Sequence, residues 1–218
     1  METILDGRYE LYDYGHALDI LQASFSEEWN EILTALEKLW ITHTDITEAG
    51  GNKTAIAKKV DDLLFPYDWA EAKITGDLVI TQHIRSSRSG THKEQDYVVK
   101  NWLEAHNIDF VKGKVALDLE WNSKDQTFDR DLMAMRAFYD AKIIDVGIIL
   151  TRAESLNNIF RELDTKGKYG ASTTHIKKLL YRLDNRRNGA CPILAIGITG
   201  KNVLSSENTQ LSFDGIGE

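Results

Sequence analysis

The stretch Asp109–Trp121, DFVKGKVALDLEW, decides how this chain folds. With Ile108 before it, it reads as a short strand, the tight turn KGK and a longer strand, an antiparallel hairpin. Alternation along the second strand puts Val115, Leu117, Leu119 and Trp121 on one face and Ala116, Asp118 and Glu120 on the other. The two acids point the same way, with Cα atoms roughly 6.6 Å apart at twice the rise per residue. Asp109 on the neighbouring strand turns its carboxylate toward the same spot. Three carboxylates at one place repel one another by several kcal/mol unless protons or a cation neutralise them. An all-oxygen donor set favours Mg²⁺, Mn²⁺ or Ca²⁺ over zinc. The plainer explanation is a solvated edge-strand face. Asp and Glu are depleted inside strands, which favours the metal reading.

Outward from the hairpin, FDRDLMAMRAFYDA repeats apolar residues at Phe128, Leu132, Met135 and Tyr139, one helical stripe that leaves Arg130 and Arg136 off it. IIDVGIILT and CPILAIGIT are continuous β-branched runs and read as buried central strands. Toward the N-terminus, Leu18, Leu21, Phe25, Trp29, Ile32, Leu36 and Leu39 keep the spacing of one or two amphipathic helices. ITEAGGNKT breaks that pattern, and a helix from Lys53 to about Leu64 stops near Pro66. ITGDLVITQHI reads as extended, RSSRSGTHK as a loop, and residues 94–106 as a helix through Val98, Trp102 and Ala105. The expected fold class is α/β (α+β), a central mixed β-sheet flanked by helices. It forms a single domain over 1–218, with a helical N-terminal part over about 1–70, a sheet core over about 71–200 and a tail over 201–218.

The formal net charge of −8 hides a division along the chain. Residues 1–50 hold eleven acids and two basic side chains, whereas residues 165–187 hold seven basic and one acidic. A polyanionic partner responds to a local positive surface, so net charge does not exclude nucleic acid; a solvated helix face is the even alternative. The single cysteine, Cys191, excludes an internal disulfide and a cysteine zinc cluster, and its apolar setting suits a small buried residue. No apolar run of about 18 residues occurs and METILDGRYELYD lacks the regions of a signal peptide, so a cytoplasmic protein is expected, with no membrane partner. GITGK lacks the spacing of a phosphate cradle. His16 and His106 read as structural.

The order strand, Asp, strand with acid-x-acid, helix, strand resembles the PD-(D/E)XK nuclease superfamily, and in particular restriction endonucleases of the BglII and BstYI type. DYGHALDIL and EEWNEI are similar to that group's N-terminal helix and DFVKGKVALDLEW to its catalytic hairpin, so the likeness covers most of residues 12–151. It implies Asp109 as the first metal-binding aspartate, Asp118 as the second acidic ligand and Glu71, in DWAEAKI, as the match of a fourth polar residue on an earlier helix. Metal ligands would be Asp109, Asp118, Leu119 and Glu71, and catalytic residues Glu71, Asp109, Asp118 and Glu120. Glu120 stands where most of the superfamily has lysine and the BglII type usually glutamine; Ile108 replaces the nominal proline.

The implied activity is a type II restriction endonuclease, with Mg²⁺-dependent, sequence-specific hydrolysis of double-stranded DNA to 5′-phosphate and 3′-hydroxyl ends. Mn²⁺ would substitute, and Ca²⁺ would bind without supporting cleavage. A homodimer on a palindromic, GATC-centred site follows the same precedent. From the residues, phosphodiester hydrolysis asks for an activated water, a base such as Glu120 and charge stabilisation at phosphorus. DNA contacts fall to Lys168, Ser172, Thr173, Thr174, His175, Lys177 and Lys178, with Arg182, Arg186 and Arg187 behind them. A second candidate is the basic loop with Arg85, Ser86, Ser87, Arg88 and Lys93. The alternatives are a structure-specific defence or repair nuclease with the same metal site, and a DNA-binding or partner-binding module without catalysis.

Overall fold

A computed structural model describes residues 2–48, 53–86 and 89–204. In chain order its elements are β1 (Glu2–Ile4), β2 (Tyr9–Tyr14), α1 (Ala17–Ser24), α2 (Ser26–Lys38), β3 (Ile41–Thr42), α3 (His43–Thr47) and α4 (Ala55–Leu64). Then come β4 (Ala70–Ala72), β5 (Thr75–Arg85), β6 (His92–Glu104), β7 (Ile108–Lys112), β8 (Val115–Glu120), α5 (Thr127–Asp140) and β9 (Val146–Arg152). α6 (Leu156–Glu162), α7 (Ile176–Asp184), β10 (Ile193–Ile198) and β11 (Val203–Leu204) complete it.

The main sheet has the order β1-β2-β10-β9-β8-β7-β4. β8, β9 and β10 run parallel at its centre, while β2, β7 and β4 pair antiparallel toward the edges. The central position explains the unbroken apolar runs: β9 and β10 are buried along their whole length because helices cover both faces. On one face Val115, Leu117, Ile148, Leu150, Leu194 and Ile196 pack with α1, α2, α4 and α6. On the other, Ala116, Ile149, Ile193 and Ala195 meet Phe128, Leu132 and Met135 of α5 and Ile176, Leu179 and Leu183 of α7. Alternation in β8 thus assigns its side chains to the two faces as the sequence pattern requires.

Local signals fix the element ends. Thr54 caps α4 by accepting from the Ala57 N–H, and a capping box of Thr42 and Asp45 starts α3. Gly113 takes φ +54° in the turn between β7 and β8, a conformation costly for any residue with a Cβ. The N-terminal part is less purely helical than its periodicity suggests, since Tyr9–Tyr14 forms a sheet strand beside β10.

Residues 94–106 are not a helix. Residues 94–104 lie in β6, paired with β5 over Thr75–Arg85 in a separate two-stranded ribbon, and Ala105 and His106 follow it outside any helix or strand. The i, i+4 match of Val98 and Trp102 is a coincidence of spacing. The adjacent β-branched Val98 and Val99 fit a pleated surface, and each finds an apolar partner directly across the ribbon, Val79 and Leu78. The glycines of ITEAGGNKT and the C-terminal stretch 205–218 lie outside the described residues.

Candidate active site

The hairpin of β7 and β8 pairs Phe110 with Leu117, which sets Asp109 beside Asp118 on the opposite face. Each aspartate is fastened by backbone: the Asp109 N–H donates to Asp118 Oδ1 at 2.8 Å and the Leu119 N–H to Asp109 Oδ2 at 3.1 Å. Glu71 stands in β4 and not on a helix, because Ala70–Ala72 pairs antiparallel with β7, with an irregular register between Ala70 and Ala72 at Glu71. Asn107 Nδ2 donates to Glu71 Oε1 there. Glu71, Asp109, Leu119 and Glu120 line a cleft of about 460 Å³, closed on the far side by Lys53, Thr54, Ala57 and Asp61 around the start of α4. Among the described residues Lys53 is the cation in that lining, and it is paired with Asp61.

Asp118 is 4% exposed and Glu120 7% exposed, so both sit behind the cleft surface rather than at an open rim. They are not set among hydrocarbon alone. Asp131 of α5, 3% exposed, lies against them, and the Glu120 carboxyl is also beside Ser123 and Thr127. Asp118 Oδ2, Glu120 Oε2 and Asp131 Oδ2 are buried without a hydrogen-bond partner. Burial is the main cause that lifts the Asp118 carboxyl well above its ordinary range, and the neighbouring Asp109 adds to it. Desolvation likewise raises Asp109 and Glu120, and Asp131 is pushed up to about 10 by burial, then by Glu120 and Asp118. Four carboxyls therefore share one electrostatic neighbourhood, with Arg130 nearby as a weak counterweight.

Asp131 escaped the sequence reading, although the signal was present. It stands three residues after Phe128 and four before Met135, on the apolar stripe of α5, where a carboxylate has no packing reason to be. Among the described residues no three His, Cys, Asp or Glu side chains are gathered into a ready metal cage. The expectation that 109, 118 and 120 close on one point is thus replaced by a looser arrangement. Asp109 and Asp118 each hold a backbone N–H of the hairpin, and Glu120 turns toward Ser123 and Asp131. The donor chemistry suits a hard cation all the same, since every group is a carboxylate oxygen and three of those oxygens lack a partner.

The candidate DNA contacts divide into two groups. Ser172, Thr173 and Thr174 are stitched to the segment after β8: the Asp125 N–H donates to Ser172 O and the Thr174 N–H to Ser123 O. That places the 170–175 segment next to the cleft wall. Ser172 is exposed, but Thr173 and Thr174 are buried and Thr173 Oγ1 accepts from the buried Arg152. His175 is half-buried, and desolvation with the charge of Arg152 lowers its pKa.

Much of the basic stretch is already paired: Lys177 with Glu154 at 2.5 Å, Lys178 with Asp125 at 3.2 Å, Arg182 with Asp129 at 2.9 Å, and Arg187 with Asp129. Lys168 donates to the carbonyls of Ile46 and Glu48. The second group, Arg85, Ser86 and Lys93, sits at the tip of the ribbon, roughly 30 Å along from its base at the rise of a strand. Ser87 and Arg88 lie outside the described residues. His16 and His106 are both exposed, and Cys191 is buried, its thiol pushed up to about 12 by desolvation. No helix among the described residues is long and apolar enough to cross a membrane.

The chain matches the family described as restriction endonuclease BglII/BglIII over residues 9–198, which takes in the main sheet except β1, the hairpin and the 170–175 segment. No curated protein matches it.

Proposed function

The chain belongs to the BglII/BglIII restriction endonuclease family and is a DNA endonuclease, and from that premise we propose that the cleft beside β7 and β8 hydrolyses phosphodiesters of a specific duplex site. The observation that carries this reading is the group of four neighbouring carboxyls, Asp109 and Glu120 at the wall of one cleft with Asp118 and Asp131 behind them, of which three oxygens are buried without a partner. Asp109, Asp118, Glu71 and Leu119 would hold Mg²⁺, with Mn²⁺ as a substitute and Ca²⁺ as a silent occupant. When bound, the ion supplies Lewis-acid charge at phosphorus and offsets the carboxylate repulsion.

The chain's own groups do the rest. Glu120, with an unpartnered oxygen and a raised carboxyl, accepts the proton of the attacking water. The new P–O bond forms as the bond to the 3′ oxygen breaks, leaving a 5′ phosphate and a 3′ hydroxyl that takes its proton from solvent in the open cleft. Lys53, the cleft cation, faces the negative charge that gathers on the phosphate. The 170–175 segment approaches the duplex beside the cleft, with Ser172 as its exposed hydroxyl. Palindromic recognition by a homodimer accords with cutting both strands from one site per chain.

Phage DNA incubated with the protein and Mg²⁺ gives discrete bands that EDTA abolishes. Asp118→Asn lowers the rate roughly 1,000-fold, as loss of a key electrostatic group does, while DNA binding in Ca²⁺ persists. A smear instead of bands would assign a structure-specific nuclease, and salt-sensitive binding without any cutting would assign a non-catalytic DNA-binding module.

A further inference from the structure

Arg152 ends β9 and is 2% exposed, yet among the described residues no carboxylate pairs with it and its Nε has no partner. The guanidinium lies 5.4 Å from the ring centroid of Phe160 in α6 and 5.5 Å from that of Tyr169, and it donates to Thr173 Oγ1. Burying a guanidinium without a counter-charge is costly, and an apolar side chain would stabilise such a position at least as well. Stability gives no reason for an arginine here. What arginine adds is a planar, directional donor that fixes one arrangement of the groups around it.

Those groups belong to the segment that flanks the cleft. Arg152 holds Tyr169 and Thr173 from one side, and the connection after β8 holds the same segment from the other. Trp121 Nε1 donates to Tyr169 Oη at 3.3 Å, the Asp125 N–H to Ser172 O at 2.9 Å and the Thr174 N–H to Ser123 O at 2.9 Å. At the root of the arginine, Thr151 stands opposite Glu120 in the β8–β9 ladder and donates through Oγ1 to the Glu120 carbonyl at 2.6 Å. The side chain that grips the segment is thus one peptide away from a residue bonded to the backbone of Glu120.

We infer that Arg152 is a positioning residue: without touching DNA, it holds the 170–175 segment in the register with Glu120 that lets the protein recognise a duplex and cut it in one complex. The cutting half of this inference rests on the nuclease reading; the recognition half needs only that the segment meets DNA.

Arg152→Met tests it, because Thr173 Oγ1 keeps its 2.8 Å bond to the Gly170 carbonyl when the guanidinium is gone. The target duplex is selected from a random pool by binding in Ca²⁺. The variant melts at or above the wild-type temperature in EDTA. In Mg²⁺ its kcat on the selected duplex falls roughly 100-fold, as a misplacement of about 1 Å causes. Its affinity in Ca²⁺ falls roughly 10-fold, about the worth of one matched base pair, while affinity for a duplex with one base pair changed stays the same, so discrimination narrows. Arg152→Lys keeps the charge, loses the planar fork and shows the same losses. Thr173→Val lowers kcat to a similar level, and the double variant is no slower than either single one, since both act through one contact. A Met variant that melts several degrees below the wild type would make Arg152 a structural residue, and one with full kcat and full discrimination would remove it from the reaction; either result overturns the inference. A wild type that cuts nothing sinks the nuclease reading, and the recognition half then stands if Arg152→Met narrows discrimination in Ca²⁺ and falls if it does not.

Discussion

Asp131 shows how a single buried carboxyl links the cleft to folding. Its pKa, raised from 3.8 to about 10, means that the folded protein holds a proton that the unfolded chain releases. Stability from such a group is fully present below about pH 4 and is lost as pH rises toward the folded value, by up to about 1.4 kcal/mol per pH unit. In EDTA, then, the melting temperature falls from pH 5 to pH 9. Asp131→Asn flattens that fall and melts several degrees higher at pH 8, while the two proteins converge near pH 4. Calorimetry across this range reads it directly. Parallel pH slopes for variant and wild type would mean that Asp131 stays ionised and that the repulsion is relieved elsewhere. Arg152 is the opposite case, a buried cation with no carboxylate partner among the described residues. Burial lowers its pKa to about 10, and Phe160 and Tyr169 lie within 5.5 Å of the guanidinium. Its bond to Thr173 ties the end of β9 to the 170–175 segment.

At the scale of elements, the hairpin is the device that aligns Asp109 with Asp118, and its turn depends on Gly113. A Cβ there would meet φ +54° and lie 2.8 Å from Glu28 Oε1. Gly113→Ala is expected to cost about 1 kcal/mol, a fall of roughly 2–4 °C for a chain of this size, and to slow cleavage more than it lowers stability, because the Asp109 N–H to Asp118 bond shifts with the turn. Melting and initial rates measured on one preparation separate the two effects. The hairpin and the central strands were legible because period-2 alternation and unbroken β-branched runs are local properties of the chain. β6 was not: Val98 and Trp102 match a helical period by chance, and what makes the segment a strand is its partner β5, some twenty residues earlier. Asp118 and Glu120 were legible as a pair on one face, but the helix that buries them was not, since α5 covers that face only through tertiary packing.

Over the whole molecule, charge is arranged by pairing more than by segregation. The basic C-terminal stretch, so uneven in the sequence, is largely matched in the fold by Asp125, Asp129 and Glu154, and the chain as a whole carries −8. The paired side chains of that stretch, Lys177, Lys178, Arg182 and Arg187, therefore add little to non-specific DNA binding and to its salt dependence. Glu154→Gln tests that balance, because it releases Lys177, an exposed side chain two residues beyond His175, from a 2.5 Å ion pair. Freed, Lys177 neutralises one more phosphate and steepens the plot of log affinity against log salt by about 0.9. The variant then binds non-cognate duplex more tightly at low salt and equally at high salt. Fluorescence anisotropy over a salt series measures the slope; an unchanged slope would place Lys177 away from the duplex and leave Ser172 and the tip of the β5–β6 ribbon to carry the approach.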